Sequence, residues 1–360
     1  MTRRTAHYVQ QTARPQGRPS PADFAFMERP LPEVPAGGAL VENLYFSVDP
    51  YMREVMDFGE LDAPMEGRAL GRVVASRSPH LTEGDVVAHR QGWRTHAVLD
   101  EAQVPAHGAR PDPGGVRLLG GEAVRPDPGG VRLIRPADGV PLTAYLSVLG
   151  GTGLTAYVGL TRVARLQPGE DLYVSAAAGG VGTAVGRFAR LMGAGRLIGS
   201  AGSASKVREL TGRLGFDAAF DHHDGPIGEQ LRAAAPDGID VYFDNVGGEH
   251  LAGAIDVLRH GGRIAWCGAV AQYDAPADPP AAPYNLYDVV GKSLRLEGFL
   301  VRDHRDAQAE LEEWAAPHLR SGALVAEETV TAGFDRSVEA FLGMLDGRNL
   351  GKAIVRVEGA

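Results

Sequence analysis

One short stretch, "SAAAGGVGTAVG" at Ser175–Gly186, limits the possible folds of this chain more than any other. It follows a strand-like run, Asp171–Ala177, and opens an amphipathic segment with helical spacing. Ala176, Gly179 and Gly182 have the spacing A-x-x-G-x-x-G. Glycine is needed where a strand turns sharply into a helix, where the backbone approaches a pyrophosphate and where the helix packs on the sheet. The stretch therefore predicts the first βα turn of a dinucleotide-binding unit.

The residues after this turn alternate between strand-like and helix-like segments. The strand-like runs are "RLIGSAG", "DAAFDH", "DVYFDNVGG" and "RIAWCGAV", and "SLRLEGFLV" is predicted as the last strand. The helix-like stretch "EHLAGAIDVLRHGG" is predicted to run to Gly262. Such alternation is typical of βαβ units, so we expect an α/β fold with a doubly wound parallel sheet.

The flanks of this unit have a different texture. Before about residue 145, short apolar runs are punctuated by Pro and Gly, which is typical of an irregular β domain. A chain of 360 residues is expected to form two domains, and the last helix and strand are predicted to return to the first. We predict a β domain at 1–144 and 312–360, with a loop insertion at about 103–138, and a nucleotide-binding domain at 145–311.

The insertion contains a repeat. The nine residues "RPDPGGVRL" occur at Arg110–Leu118 and again at Arg125–Leu133. Pro-Asp-Pro-Gly-Gly is turn chemistry, and two copies are too few for a solenoid. We interpret the repeat as a tandem duplication in a surface loop, which costs little extra closure entropy. Deletion of Arg110–Val124 is expected to leave cofactor binding intact, and a large rise in the cofactor dissociation constant would contradict this.

The segment after the second predicted strand distinguishes between the two nicotinamide cofactors. It has no Asp or Glu where an NAD site usually holds the ribose hydroxyls. Ser200 and Gly202 are small, and Lys206 is close enough to accept a 2′-phosphate. Gly180 and Val181, at the start of the predicted helix, would offer backbone N–H groups to the phosphates. The sequence therefore predicts NADP as the cofactor.

Composition excludes several other classes of function. The formal net charge is −9 without a Lys/Arg cluster, which argues against nucleic acid or an anionic membrane as a partner. No apolar run is long enough to span a membrane, and no signal peptide is evident, so we expect a cytoplasmic protein. The single cysteine, Cys267, excludes an internal disulfide and a multi-thiolate zinc site. The adjacent His222 and His223 are interpreted as a surface pair, and no metal site is expected.

Eight segments in family order resemble one known family, the medium-chain dehydrogenase/reductase superfamily. Within it the chain resembles the zinc-free double-bond reductases, which include prostaglandin reductases, leukotriene hydroxydehydrogenases and plant alkenal reductases. Apart from the repeat, the resemblance covers nearly the whole chain. The matching segments are "SVDPYMRE", "GGTGLTAYVGL", "SAAAGGVG", "GSAGSASKV", "YFDNVGGE", "CGAVAQYD", "LRLEGFLV" and "NLGKAIVRV".

The resemblance implies a Rossmann domain inserted in a GroES-like β-barrel domain, with a cleft between them. It implies NADPH-dependent reduction of a C=C bond conjugated to a carbonyl in a small hydrophobic substrate. It also implies a homodimer that pairs through "SLRLEGFLV". The cofactor residues that it implies are Lys206 near the 2′-phosphate and Asn245, Cys267, Gly268 and Asn349 along the cleft.

Three positions depart from the family pattern. Several relatives have a tyrosine near the 2′-phosphate where this chain has His222. Prostaglandin reductases have an active-site tyrosine where Gly291 stands here. The zinc-dependent branch has Gly-His-Glu where this chain has Gly67-Arg68-Ala69. We therefore expect no zinc, and substrate recognition that differs from that of the prostaglandin reductases.

Without a metal, the substrate carbonyl needs another electrophile. Tyr51, which resembles a tyrosine that faces the active site in relatives, is the first candidate for oxyanion donor or proton source. Tyr273 and Tyr287 are weaker candidates. Three alternatives stay open: a reductive cyclase of a natural-product polyene, an NADP-dependent secondary alcohol dehydrogenase, and a non-enzymatic NADPH-binding protein.

Overall fold

The N-terminal part of the chain is a layered β structure. The computed structural model describes residues 5–103, 130–273 and 282–357. One short helix, α1 (Tyr51–Val55), interrupts the strands directly after Pro50. The strands are β1 (Thr5–Gln11), β2 (Phe24–Pro30), β3 (Ala39–Ser47), β4 (Ala69–Ser76), β5 (Val86–His89), β6 (His96–Leu99) and β7 (Arg132–Ile134).

The middle of the chain alternates helices with short buried strands. Its helices are α2 (Gly151–Val158), α3 (Gly180–Leu191), α4 (Ala204–Gly212), α5 (Ile227–Ala234), α6 (Gly248–Val257) and α7 (Tyr287–Gly291). Its strands are β8 (Leu172–Val174), β9 (Leu197–Ala201), β10 (Ala218–Asp221), β11 (Ile239–Asp244), β12 (Leu258–Trp266) and β13 (Arg295–Gly298). The chain then continues through α8 (Gln308–Arg320), β14 (Glu328–Ala332), α9 (Ser337–Leu345) and β15 (Lys352–Arg356).

The six strands of the middle part form one parallel sheet, as the alternating pattern predicts. Their spatial order is β10-β9-β8-β11-β12-β13. When β8 is counted as the first strand, this is the order 3-2-1-4-5-6 of a doubly wound dinucleotide-binding fold. The order reverses between β8 and β11, and ligands in such folds bind outside the carboxyl ends of the strands at this switch point.

A separate, mostly antiparallel sheet joins the two ends of the chain. Its order is β14-β15-β3-β4-β5-β7, and β6 also pairs with β3. Strand β15 runs antiparallel to β3, with Ile354 opposite Ser47. A hydrophobic core connects the two sheets, because Leu70 and Ile354 of this sheet pack in the same cluster as Val174 and Phe243 of the parallel sheet. These pairings agree with a return of the end of the chain to the first sheet, but the predicted boundary 311/312 falls inside α8. The division at 144/145 and 311/312 stays a proposal.

Two local expectations differ from the structure. The helix predicted to end at Gly262 ends at Val257, because Leu258 is extended and pairs with Ile239 as the start of β12. The positive φ of Gly261 also lies outside the helical region. Helix α1 has no counterpart among the predictions, since five residues are too few to show a helical period.

Most of the duplicated segment lies outside the described residues. The last residues of the second copy are described, and they correct the prediction of a surface loop: Val131 is buried, and Arg132 and Leu133 pair with β5 as part of β7. The backbone N–H of Val131 donates to the carbonyl of Gln103 at 2.9 Å. The described residues on the two sides of the gap are therefore adjacent, next to β7. Across the described ranges, no helix combines the length and apolarity needed to cross a bilayer. The cytoplasmic location expected from the sequence stays a prediction.

Candidate cofactor cleft and active site

The glycine turn joins β8 to α3 by a close approach of backbones. Ala176 has a positive φ of 47°, and the N–H of Gly179 donates to its carbonyl at 3.0 Å. A Cβ added at Gly182 would lie 2.4 Å from the carbonyl oxygen of Ala176 and 2.6 Å from Cα of Ala177. Only glycine fits there. Helix α3 begins at Gly180, so the N–H groups of its first turn lack partners within the helix.

The C-terminal strand closes one side of this turn. Gly179 and Gly351 form a parallel β-bridge, and the N–H of Gly351 donates to the carbonyl of Ala178 at 2.8 Å. The side chain of Asn349, predicted to line the cleft, donates to the carbonyl of Gly351 at 2.7 Å. This hydrogen bond therefore stabilises the contact between the glycine turn and the start of β15.

Asn245 and Cys267 lie directly after β11 and β12, at the carboxyl ends of these strands and on the other side of the switch point. The side chain of Asn245 donates to the carbonyl of Ser175 at 2.7 Å, and its backbone N–H donates to the Ser175 hydroxyl at 3.0 Å. The Cys267 thiol donates to Oδ1 of Asn245 at 3.1 Å. Burial, together with the charge of Asp244, raises the pKa of the thiol. Cys267 is therefore a hydrogen-bonding group at this edge and no nucleophile. Gly268 lies beside it, close to the backbone of Asn245.

The predicted 2′-phosphate residues separate into two groups. The hydroxyl of Ser200 is buried and accepts a hydrogen bond from Tyr173 at 3.0 Å, so it belongs to the interior of the sheet. Lys206, in the first turn of α4, is half-buried and has no carboxylate partner among the described residues. Burial lowers its pKa. Gly202 lies between them, at the end of β9.

His222 and His223 occupy the turn after β10, with ring centroids 4.0 Å apart. With Asp221 they form the one group of three potential metal ligands found in the described part of the chain, their donor atoms lying within 4.8 Å of one another. Nδ1 of His222 is 2.9 Å from the carbonyl oxygen of Ala201, and Nδ1 of His223 is 2.9 Å from Oδ1 of Asp221.

The three candidate tyrosines lie in different environments. The hydroxyl of Tyr51, at the start of α1, is buried and has no hydrogen-bond partner among the described residues. The phenol of Tyr273 is packed near Gly268, and its pKa is raised by burial and by the charge of Glu54 on α1. Tyr273 therefore lies near α1, the helix that begins with Tyr51. Tyr287, in contrast, is 82% exposed on α7.

A buried ion pair beneath Tyr51 was not anticipated from the sequence. Nζ of Lys352 donates to Oδ1 of Asp49 at 2.5 Å and to the carbonyl of Val48 at 3.0 Å. Arg68 lies 3.9 Å from Asp49, and its guanidinium carbon is 5.9 Å from the centroid of the Tyr51 ring. Burial raises the pKa of Asp49, but Lys352 and Arg68 more than offset this and bring it to about 2.

The two partners of that pair are 303 positions apart in the chain. No spacing rule connects such distant residues. The segments that contain them were recognisable, "SVDPYMRE" and "NLGKAIVRV", but the contact between them was not.

Comparisons with known proteins cover almost the whole chain. The family model described as N-terminal domain of oxidoreductase matches residues 7–106, and the model described as Zinc-binding dehydrogenase matches residues 180–316. Prostaglandin reductase 1 of Mus musculus is 37% identical over 95% of this chain and 96% of its own length. The 2-alkenal reductase (NADP(+)-dependent) of Nicotiana tabacum is 34% identical over 90% of this chain and 89% of its own.

A solved structure is similar over the full length. CurA from Vibrio vulnificus, in complex with NADPH, superposes with a TM-score of 0.83 and 29% identity. The match covers 98% of this chain and all of that one.

Proposed function

The chain belongs to the double-bond reductase branch of the medium-chain dehydrogenase/reductase superfamily, and from this we propose that it reduces a C=C bond conjugated to a carbonyl with NADPH. Family membership supports the reaction class. The local geometry supports the roles of individual residues. We place the carbonyl of the substrate near Tyr51 because the buried hydroxyl of this residue has no hydrogen-bond partner among the described residues.

The residues of the cleft fit NADPH. Gly182 leaves no room for a side chain where α3 meets the sheet, and the N–H groups of the first turn of α3 lack helical partners. Lys206 is a half-buried cation with no carboxylate partner in the described part of the chain, which suits a 2′-phosphate. We propose that Gly179, Gly180 and Val181 hold the pyrophosphate, and that Asn245, Gly268 and Asn349 shape the cleft around the nicotinamide.

When bound, NADPH supplies the hydride for the β-carbon of the conjugated bond. Negative charge then develops on the carbonyl oxygen of the substrate, and a pre-positioned donor in a dry site stabilises it. In the part of the chain that the structure describes, the Tyr51 hydroxyl has no existing hydrogen bond to break when it donates to this oxygen. The α-carbon of the enolate then takes up a proton, from Tyr51 or from solvent, which completes the reduction. The raised pKa of Tyr273 keeps its phenol protonated at neutral pH, so it acts as a second donor and not as a base. We leave Tyr287 out of the reaction because of its exposure.

The test is the oxidation of NADPH or NADH by the purified protein with conjugated enones, polyenones and simple ketones. We expect NADPH to be consumed with the conjugated substrates alone. Consumption with simple ketones would instead support a secondary alcohol dehydrogenase. NADPH binding without turnover on any substrate would support a binding protein. Analysis of the products would detect ring closure, which is the mark of a reductive cyclase.

We further propose that the reaction needs no zinc. The place of the zinc-branch Gly-His-Glu is taken by Gly67, Arg68 and Ala69, and Arg68 is turned towards Asp49 and Tyr51. Cys267 is occupied by Asn245. Dialysis against a chelator is expected to leave the reductase rate unchanged, and loss of activity that Zn²⁺ restores would contradict the proposal.

We also propose a homodimer that extends the parallel sheet through β13. This strand is the last of the six, so one edge has no neighbour among the described strands. Exposed apolar side chains lie beside it, with Tyr287 82% and Val290 70% exposed on α7 and Leu300 38% exposed. Edges of this kind tend to pair. Light scattering after gel filtration is expected to give twice the chain mass, and Val290→Arg is expected to give monomers. A monomeric native protein would contradict the proposal.

A further inference from the structure

Two arginines lie together at one end of the β4–β5 ladder. Arg68 directly precedes the paired part of β4, and Arg90 directly follows the paired part of β5. Because the two strands are antiparallel, both arginines leave the ladder at the same end. The N–H of Gly67 donates to the carbonyl of Arg90 at 3.0 Å, which holds the two backbones together there. Like charges at such neighbouring positions repel each other.

A third arginine, Arg305, comes from the segment between β13 and α8. Gln308, at the start of α8, donates to a carbonyl just before α2 at 2.9 Å. A Cβ added at Gly151, the first residue of α2, would be 2.6 Å from the guanidinium carbon of Arg68. The start of α2 therefore brings the two segments together. Burial, and then the charges of Arg90 and Arg68, lower the pKa of Arg305. We refer to Arg68, Arg90 and Arg305 as the arginine group.

The arginine group borders the proposed position of the substrate carbonyl. The guanidinium carbon of Arg68 is 5.9 Å from the centroid of the Tyr51 ring, and the Arg68 side chain is 29% exposed. Asp49 lies 3.9 Å from Arg68, but it is already paired with Lys352, so its charge is offset within the fold. A substrate held at Tyr51 therefore has a half-buried positive region a few bonds away from its carbonyl.

The acids of the segment that carries Arg305 have partners of their own. Asp303 lies 3.7 Å from Arg302, and Asp306 accepts from Arg162 at 2.7 Å. The arginine group makes other contacts as well, so the attraction for an anion comes from its summed charge. Positive charge that is concentrated along a cleft raises the local concentration of anions, even on a chain whose net charge is −9.

We propose that the arginine group binds a phosphate carried by the conjugated substrate, a few bonds from its carbonyl. This rests on the proposed function and names the class of its substrate. Guanidinium groups bind phosphate and carboxylate oxygens in the same forked geometry. A phosphate monoester offers three terminal oxygens and a charge of about −1.5 to −2, whereas a carboxylate offers two oxygens and a single charge. Three guanidinium groups from two segments therefore favour the phosphate.

The experiment compares three enones that share one short alkyl chain and differ only in the group at its end, which is phosphate, carboxylate or methoxy. NADPH oxidation by the full-length protein gives kcat/KM for each. We expect the phosphate enone to exceed the methoxy enone about 10- to 100-fold, and to lose most of this advantage between about 0.05 and 0.5 M salt. Equal values for these two, or a higher value for the carboxylate than for the phosphate, would overturn the inference and leave the proposed function intact.

Arg305→Gln is the discriminating variant, because Arg305 is not part of the buried pair beneath Tyr51. It is expected to lower the ratio of the phosphate value to the methoxy value about tenfold, and Arg305→Lys, which keeps the charge, should lower it less. Arg320→Gln, at the exposed end of α8, removes the same charge elsewhere and should keep the native ratio. A native ratio in Arg305→Gln would contradict the assignment of the site.

A binding measurement separates this inference from the proposed reaction. The saturated ketone with the same phosphate is titrated calorimetrically into the protein in the presence of NADP⁺, at low and at high salt. Salt-sensitive binding without reduction of any enone would overturn the proposed reaction and support the anion site. Absence of binding together with absence of reduction would overturn both.

Discussion

At the residue scale, burial decides what each polar side chain near the cleft can do. The buried hydroxyl of Tyr51 has no hydrogen-bond partner within the described ranges, so a ligand oxygen that accepts from it is favoured. Asp49 and Lys352 are buried and paired with each other, and Asp49 also accepts from the Ser47 hydroxyl. Both side chains therefore stabilise the fold. Cys267 donates its thiol to Asn245 and is kept protonated. Among these described residues, the Tyr51 hydroxyl is thus available as a donor, whereas Asp49, Lys352 and Cys267 are already hydrogen-bonded.

Replacing Tyr51 by Phe tests the role of its hydroxyl as the oxyanion donor. We expect the turnover rate with a conjugated enone to fall about 100-fold, because a pre-positioned oxyanion donor is lost. The dissociation constant for NADP⁺ should not change. Tyr287→Phe, on the exposed face of α7, is the matched control and should keep the native rate. A Tyr51→Phe enzyme as fast as the native one would remove the hydroxyl from the mechanism.

Replacing Asp49 by Asn tests the buried pair. The substitution leaves the Lys352 ammonium buried opposite a neutral amide, which should cost about 3–5 kcal/mol of the free energy of unfolding in urea. Glu209→Gln, which removes an exposed partner of Arg213, should change it little. In the native chain the lowered pKa of Asp49 means that the stabilisation is present above about pH 4 and is lost as pH falls towards 2. Equal effects of the two variants would show that the pair is not structural.

At the element scale, the parallel sheet followed from local pattern and the antiparallel sheet did not. Strands such as Leu197–Ala201 are short apolar runs between helices of regular period, so type and order can be predicted from neighbours in sequence. Strand β3, by contrast, pairs with β4, β6 and β15, and the last of these is about 300 positions away. Turn residues give no information on such pairings. The single turn of α1 and the early end of α6 were missed because tertiary contacts decide them.

Gly182 is the test of the predicted turn. Gly182→Ala places a methyl group 2.4 Å from the backbone oxygen of Ala176, in the turn after β8, which cannot rotate away as a side chain could. We expect the dissociation constant for NADP⁺ to rise at least about tenfold and the melting temperature to fall. Gly212→Ala, at the end of α4 with open space around it, should leave both unchanged or raise stability slightly. Native binding by the Gly182 variant would show that the turn is not close-packed.

At the scale of the whole molecule, two buried histidines make stability depend on pH. His89 lies in the antiparallel sheet and His250 on α6, and burial lowers the pKa of each to about 3. The unfolded chain takes up a proton on each near pH 6.5, so the stability that their neutral forms provide is complete above that pH and is lost below it.

We therefore expect the free energy of unfolding to fall by roughly 4 kcal/mol between pH 6.5 and 5, from about 1.4 kcal/mol per pH unit for each histidine. Urea unfolding at the two pH values measures it. His250→Gln should show about half of the decrease, and His80→Gln, at an exposed position, the full decrease. A stability that does not change over this range would mean that water reaches both rings.

The cofactor, the fold class and the reaction class were predictable because a few local motifs determine them. The residues that complete the site were harder, since Gly351 pairs with a turn that precedes it by nearly half the chain and Lys352 binds Val48 and Asp49, about 300 positions before it. Only the folded chain shows that Asn349 donates to the carbonyl of Gly351, next to the glycine turn. It also shows that the hydroxyl of Ser200 is buried against Tyr173. The site residues themselves stay predictions, and the side-chain contacts between distant segments could not be read from local motifs.

The bridge between Gly179 and Gly351 can form only after the last strand has been translated. The glycine turn leaves the ribosome well before the strand that flanks it, so the parallel sheet can begin to fold on the nascent chain while its binding edge is still open. The cofactor site is finished only when the last strand docks. A premature stop codon shortly before Gly351 would thus remove β15 from between β14 and β3 and leave the glycine turn without its flanking strand.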